Sequence, residues 1–109
     1  MQYQTEREFQ AAVEEYAEAK GWFVWHDYDP RRNKAGWPDL FLWRKGHIIF
    51  AELKREGGKP TEIQDTMAQR LMFSEIRCRN NGLSGDSVPI VRYFLWQPSD
   101  WDTIESVLD

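Results

Sequence analysis

Two apolar runs separated by a turn signal constrain the fold of this chain more than any other feature of its sequence. Residues 40–43 and 48–54 are rich in aliphatic and aromatic side chains, and the dipeptide Lys45-Gly46 lies between the two runs. A pair of this kind suits a two-residue turn, and apolar runs of this length are typical of strands. The pattern therefore predicts an antiparallel β-hairpin in the middle of the chain.

The register of that hairpin brings charged side chains together. Counting back from a turn closed by Arg44 and His47 gives the successive pairs of the hairpin. Asp39 then faces Glu52, and Lys54 projects to the same side of the sheet two residues further along. Two opposed carboxylates repel each other, and a divalent cation held between them removes that cost. The simpler alternative is a structural salt bridge between Lys54 and one carboxylate.

Capping boxes and hydrophobic periodicity predict the elements on either side of the hairpin. Thr5 and Thr61 each begin a capping box, and Ile63 belongs to the apolar stripe of the helix that follows the second box. The predicted helices are residues 5–20, 61–80 and 99–108, and further strands are predicted at residues 22–25 and 89–96. This order, αβββαβα, predicts an α/β fold with a mixed central sheet flanked by helices and a short C-terminal helix.

The length and charge of the chain narrow its possible functions. With 109 residues, the chain suffices for a single domain, which we assign to residues 1–109. Its net charge is −4, yet residues 31–59 carry +5 and the remainder carries −9. A polyanion would therefore be attracted to the middle of the chain and repelled elsewhere. A solvated surface of uneven charge is the simpler alternative.

Other features of the sequence point to a reducing compartment. The lone Cys78 cannot form an internal disulfide, and the polar N-terminus lacks the apolar stretch of a signal peptide. No apolar run approaches the roughly 20 residues that a membrane span requires. We therefore expect a cytoplasmic protein with no membrane partner.

Two further polar residues are candidates for a site. On a helical wheel Glu6 falls on the same side as the apolar stripe of the first helix, which predicts that Glu6 points inward. Stabilisation of the helix dipole is its alternative role. Gln64 either completes its capping box or binds a water or phosphate near Lys54. The two histidines have no partner at zinc-ligand spacing, so a zinc site is not expected.

Three short motifs resemble those of a known nuclease family. In chain order they are Gly36-Trp37-Pro38-Asp39, Glu52-Leu53-Lys54 and Gly58-Lys59-Pro60-Thr61-Glu62-Ile63-Gln64. They are similar to the G-x-P-D, E-x-K and glutamine motifs of the VRR-NUC group in the PD-(D/E)XK nuclease superfamily, and the similarity extends over nearly the whole chain. The resemblance implies a restriction-endonuclease-like αβββαβ core in a stand-alone domain of phage or bacterial type. The loop at residues 80–87 is longer than the family pattern, and its role stays open.

The resemblance also implies a reaction and its cofactor. The reaction is hydrolysis of DNA phosphodiester bonds with Mg²⁺ or Mn²⁺, carried out by a homodimer that cuts branched DNA such as four-way junctions in replication, recombination or repair. Asp39 and Glu52 would hold the metal together with the backbone carbonyl of Leu53. Glu6 matches the carboxylate of the family's first helix, which would contribute directly or through a water.

The remaining site residues follow from the same resemblance and from the chemistry of phosphate esters. Lys54 would place the attacking water or stabilise the charge that grows on the phosphoryl group, and Gln64 matches the family's helix glutamine. Contacts that hold the DNA backbone without reading its sequence are expected from the basic residues Arg31, Arg32, Lys34, Arg55 and Lys59.

Two other functions remain open at this stage. One is a non-catalytic module that binds nucleic acid on the same fold, with Asp39 and Glu52 in structural roles. The other is a protein-interaction domain. Exposed aromatic side chains at Trp37, Trp96 and Trp101 would support this function. Aromatic residues at strand and cap positions more often belong to a core.

Overall fold

The computed structural model describes residues 5–26, 36–80 and 89–109, with the backbone alone described along 72–80. It is a mixed α/β structure whose element order confirms the predicted αβββαβα pattern. The elements are α1 (Glu6–Ala19), β1 (Phe23–His26), β2 (Leu40–Arg44), β3 (His47–Leu53), α2 (Glu62–Asn80), β4 (Ile90–Trp96) and α3 (Trp101–Leu108). No helix within the described ranges is long and apolar enough to cross a membrane.

The four strands form one mixed sheet in the order β1-β2-β3-β4. The pairs β1–β2 and β2–β3 are antiparallel, and β4 runs parallel to β3. Lys45 and Gly46 adopt φ angles of 46° and 81°, the left-handed pair that matches the twist of a two-residue hairpin. Because Arg44 pairs with His47, the predicted register of the central hairpin is confirmed.

The core lies between one face of the sheet and the helices α1 and α3. The hydroxyl oxygen of Thr5 accepts a hydrogen bond from the Glu8 N–H at 3.1 Å, which begins α1 at the predicted position. Phe9 and Val13 of α1 are fully buried, as is Ile104 of α3. The buried side chains that the sheet contributes to this core are Leu40, Leu42, Ile49, Ala51, Leu53 and Trp96.

The helix α2 packs beside β4 on the other face of the sheet. The apolar stripe predicted for this helix is only partly buried. Ile63, expected in its apolar stripe, is 55% exposed. At the C-terminal end, α3 begins at Trp101, because a 3-10 turn over Pro98–Asp100 precedes it. The N-cap of α3 is Asp100, so the predicted cap at Ser99 is one residue too early. The Gln97 N–H donates to the Asp100 carboxylate at 3.0 Å, which stabilises this turn.

Candidate active site

The pairing of β2 with β3 ends one residue before the predicted carboxylate pair. The last ladder pair is Leu40 with Ala51, and Asp39 with Glu52 comes next. Oδ2 of Asp39 accepts a hydrogen bond from the backbone N–H of Leu53 at 2.8 Å. The side chain of Asp39 thus satisfies a strand N–H beyond the end of the ladder, and this bond fixes the carboxylate beside β3.

Glu52 is the one charged residue in the buried set of the described residues, with 2% of its surface exposed. Its Oε1 accepts a hydrogen bond from Nε2 of Gln64 at 3.0 Å and lies 3.9 Å from Nζ of Lys54. Its Oε2 is also buried, and no described residue gives it a hydrogen bond. A buried carboxylate oxygen without a donor carries a large desolvation cost unless a proton or a cation occupies it.

This environment changes the ionisation of Glu52. Burial, and next the negative charge of Asp39, raise the pKa of Glu52 from 4.5 to about 8, and the Lys54 ammonium only partly opposes them. Glu6 adds a smaller contribution in the same direction. At neutral pH the site therefore attracts positive charge, in the form of either a proton or a metal ion.

Gln64 completes the capping box predicted for it, and its side-chain amide also binds Glu52. Its Oε1 accepts from the N–H of Thr61 at 2.8 Å, and its own N–H donates to the Thr61 hydroxyl oxygen at 3.2 Å, so the capping box is complete. The side-chain nitrogen is left to bind Glu52. The first turn of α2 and the carboxylate of β3 are thereby joined through one amide group.

Glu6 lies near the end of β3 without being buried. Its Oε1 accepts a hydrogen bond from the backbone N–H of Arg55 at 3.3 Å. The expectation that Glu6 points inward is met only in part. Its side chain reaches the segment that follows β3, next to the candidate site, but it stays exposed. Leu53 turns its side chain into the core, while its N–H binds Asp39.

The glycine of the Gly36-Trp37-Pro38-Asp39 motif is required by close packing. Gly36 has a φ of 84°, and a Cβ at this position would lie 2.6 Å from Cγ2 and 2.7 Å from the carbonyl oxygen of Ile63. Only a residue without a side chain permits this approach to the start of α2. Pro38 is fully buried, and the ring of Trp37 contacts Phe50 edge-on at 5.6 Å. These contacts fix the segment that carries Asp39.

Tyr93 also lies near these carboxylates, although no sequence motif selects it. It pairs with Phe50 across the parallel β3–β4 ladder, and alternation puts its side chain on the face that carries Glu52. Burial, with the nearby carboxylates of Glu52, Asp39 and Asp65, raises the pKa of Tyr93 well above its usual value of 10. Its hydroxyl therefore stays a neutral hydrogen-bond donor beside the carboxylates.

Of the five basic residues predicted to contact DNA, two lie within the described part of the chain. Arg55 and Lys59 are exposed in the connection between β3 and α2, next to the candidate site. Arg31, Arg32 and Lys34 lie outside the described residues, as does the predicted loop beyond residue 80.

The carboxylates of Asp39 and Glu52 suit a hard divalent cation that keeps water or substrate among its ligands. They do not suit a metal that needs protein side chains for its whole coordination shell. Within residues 5–26, 36–80 and 89–109, no three His, Cys, Asp or Glu side chains are grouped closely enough to hold a metal ion. Mg²⁺ does not need such a group, because it commonly uses one or two carboxylates and keeps several waters or substrate phosphates as ligands. Asp39 and the free Oε2 of Glu52 fit that requirement.

In comparisons with known proteins, no family model, no curated protein and no solved structure matches this chain.

Proposed function

We propose that this protein is a divalent-metal-dependent deoxyribonuclease that hydrolyses phosphodiester bonds, with a restriction-endonuclease-like core of the VRR-NUC type. The observation that carries the proposal is the carboxylate of Glu52, which is buried beside Asp39 and Lys54 and has one oxygen that receives no hydrogen bond from the described residues. Such an arrangement costs the fold free energy unless a proton or a cation compensates it, and a cation-dependent reaction makes use of that cation.

Asp39 and Glu52 are the residues that would hold Mg²⁺ or Mn²⁺, with the Leu53 carbonyl and Glu6 as further oxygen donors. When bound, such an ion polarises the phosphoryl oxygens and lowers the pKa of a bound water. The protein contributes the positions of these oxygens. Asp39 is held by the Leu53 N–H, and Glu52 is held by the amide of Gln64.

Lys54 supplies the positive charge that the reaction needs in addition to the metal. Its ammonium lies 3.9 Å from Glu52, and only 16% of its side chain is exposed. A cation with little solvent around it interacts more strongly with a phosphate than a cation in bulk water does. Lys54 would orient the attacking water and stabilise the negative charge that grows on the phosphoryl oxygens as the sugar oxygen leaves.

The substrate in this proposal is DNA, with a preference for branched forms such as four-way junctions. The exposed side chains of Arg55 and Lys59 lie next to the site and carry the charge needed for contacts to the sugar-phosphate backbone. A homodimer and a cytoplasmic role in replication, recombination or repair, in a bacterium or in a phage-infected host, complete the proposal.

The test is a cleavage assay with branched and linear DNA, in Mg²⁺, Mn²⁺ or EDTA. We expect cleavage that requires the metal and is lost in the Lys54→Ala variant, whereas Glu15→Ala, which alters an exposed residue of α1 away from the candidate site, cleaves as the unmodified protein does. Cleavage by Lys54→Ala at the unmodified rate would contradict the role of this lysine. Absence of cleavage with every metal would leave a non-catalytic nucleic-acid-binding module, with Asp39 and Glu52 structural.

A further inference from the structure

On the sheet face that α2 covers near β4, the strands β1 and β2 expose a set of aromatic rings. Phe23 and Trp43 are 55% and 51% exposed, and Trp25 is 40% exposed. The ladder pairs Phe23 with Trp43 and Trp25 with Phe41, so all four rings project to one side. We call these four residues the aromatic face.

The aromatic face continues to the candidate active site. Phe41 contacts Phe50 of β3 with ring centroids 5.5 Å apart, and Phe50 contacts Trp37 at 5.6 Å. Trp37 lies two residues before Asp39 in the chain. A strand of nucleic acid that reaches the carboxylates would therefore meet aromatic rings without leaving this side of the sheet.

A basic groove lies at the far end of the aromatic face. It has a volume of about 620 Å³ and is lined by Lys20, Gly21, Phe23, Trp43, Arg44, Lys45 and Asp109. Its lining holds three cations and one carboxylate. Lys20 pairs with Asp109 at 3.3 Å, and Arg44 donates to backbone carbonyl oxygens. Lys45 is exposed at the hairpin turn, where it extends toward solvent beside the two rings.

The types of side chain on this surface favour a nucleotide as its occupant. The core face of β2 and β3 carries aliphatic residues, while the exposed rings of the other face are aromatic. Aromatic rings stack on every base, and a neighbouring cation matches the phosphate of the same nucleotide. Stacking also supplies affinity that does not depend on charge, which matters for a chain whose net charge is −4.

We propose that the aromatic face and the basic groove bind unpaired nucleotides of the DNA strand whose phosphodiester bond lies at the candidate active site. This inference rests on the proposed nuclease function and specifies its substrate as DNA with a single-stranded portion. Trp43 is four positions from Asp39 along β2, which is about 13 Å at the rise of a β-strand.

The experiment measures fluorescence anisotropy of a short labelled DNA single strand with the full chain, at fixed ionic strength and in EDTA so that no strand is cleaved. We expect Trp43→Ala to weaken binding by about tenfold or more, because one stacking contact is lost, and Trp43→Phe to retain most of the affinity. Thr103→Ala is the control, since Thr103 is exposed on α3, which packs against the opposite face of the sheet. We expect its affinity to be unchanged.

Other results would overturn the inference. Equal binding of the single strand by the unmodified protein and Trp43→Ala would show that the rings do not stack on bases. Sedimentation that shows a dimer for the unmodified protein and a monomer for Trp43→Ala, with single-strand binding unchanged, would assign the surface to a second copy of the chain.

The same measurement separates this inference from the proposed function. Cleavage in Mg²⁺ together with binding that ignores Trp43 refutes the stacking surface and leaves the nuclease intact. If binding depends on Trp43 but the protein cleaves no DNA whichever metal is added, the stacking surface is supported and the nuclease function is refuted. Circular dichroism melting of each variant establishes that the half-exposed positions were changed without unfolding the chain.

Discussion

The buried carboxyl of Glu52 makes the stability of the metal-free protein depend on pH. Its pKa is raised from 4.5 to about 8 in the folded chain, chiefly by burial and then by Asp39. In the unfolded chain Glu52 regains its ordinary pKa, so between these two values the unfolded state releases a proton that the folded state keeps. The stabilising effect is therefore fully present below pH 4.5 and is lost as the pH rises through about 8.

The size of this effect follows from the width of the pH window. The free energy of unfolding falls by at most about 1.4 kcal/mol for each pH unit within the window. The whole window is therefore worth up to about 5 kcal/mol, which is a large part of the stability of a small domain. The measurement is urea unfolding at a series of pH values, with EDTA present throughout.

Glu52→Gln isolates this contribution because the amide has nearly the same shape and does not ionise. Its oxygen can still accept the hydrogen bond from Gln64. We expect the variant to lose the decline between pH 5 and 8 and to exceed the stability of the unmodified protein at pH 8. Glu15→Gln, an exposed position on α1, is the control and follows the unmodified protein.

Addition of Mg²⁺ or Mn²⁺ at pH 8 extends the same test. We expect the unmodified protein to be stabilised by about 2.7 kcal/mol at a metal concentration 100 times the dissociation constant, and Glu52→Gln to gain much less. Parallel stability curves for the unmodified protein and Glu52→Gln across this pH range would refute the assignment of a raised pKa to Glu52.

Two further substitutions test how the site is held. Gly36→Ala should lower the free energy of unfolding by about 3 kcal/mol, because the new Cβ meets Ile63 and the positive φ is unfavourable; a thermal melt close to that of the unmodified protein would contradict this packing. Gln64→Ala should cost about 2 kcal/mol and also slow cleavage, because it removes both a cap and the hydrogen bond to Glu52. Thr61→Ala removes only the cap acceptor, so equal cleavage rates for these two variants would argue against a positioning role for the amide.

The central hairpin could be predicted from the sequence because its turn chemistry and its residue count leave little freedom. Lys45 and Gly46 accept positive φ angles, and a two-residue turn fixes every pair that follows. The approach of Asp39 to Glu52 followed from that register. The hydrogen bond from the Leu53 N–H to Asp39 did not, since it depends on where the ladder stops.

Other parts of the site depend on contacts between distant segments. The position of Tyr93 is set by the parallel register of β3 and β4, which are separated by the whole of α2. The hydrogen bond from Gln64 to Glu52 also requires α2 to begin close to Glu52. Local periodicity carries no information about either of these registers.

The exposure of the aromatic face illustrates the same limit. Alternation along β1 and β2 shows that Phe23, Trp25 and Trp43 share one side of the sheet. It does not show which side the helices cover. Here α1 and α3 cover the aliphatic side, and α2 packs beside β4, so large aromatic residues that would be assigned to a core are exposed.

The most direct test of the central claim is the single-turnover rate of cleavage of a branched DNA, measured against Mn²⁺ concentration for the unmodified protein and Lys54→Ala. We expect a rate that rises to a plateau with Mn²⁺ in the unmodified protein and stays at the EDTA level in the variant, although the variant still binds the metal through Asp39 and Glu52. A Lys54→Ala protein that reaches the same plateau, or an unmodified protein whose rate is the same in EDTA, would contradict the claim that Asp39, Glu52 and Lys54 form a metal-dependent nuclease site.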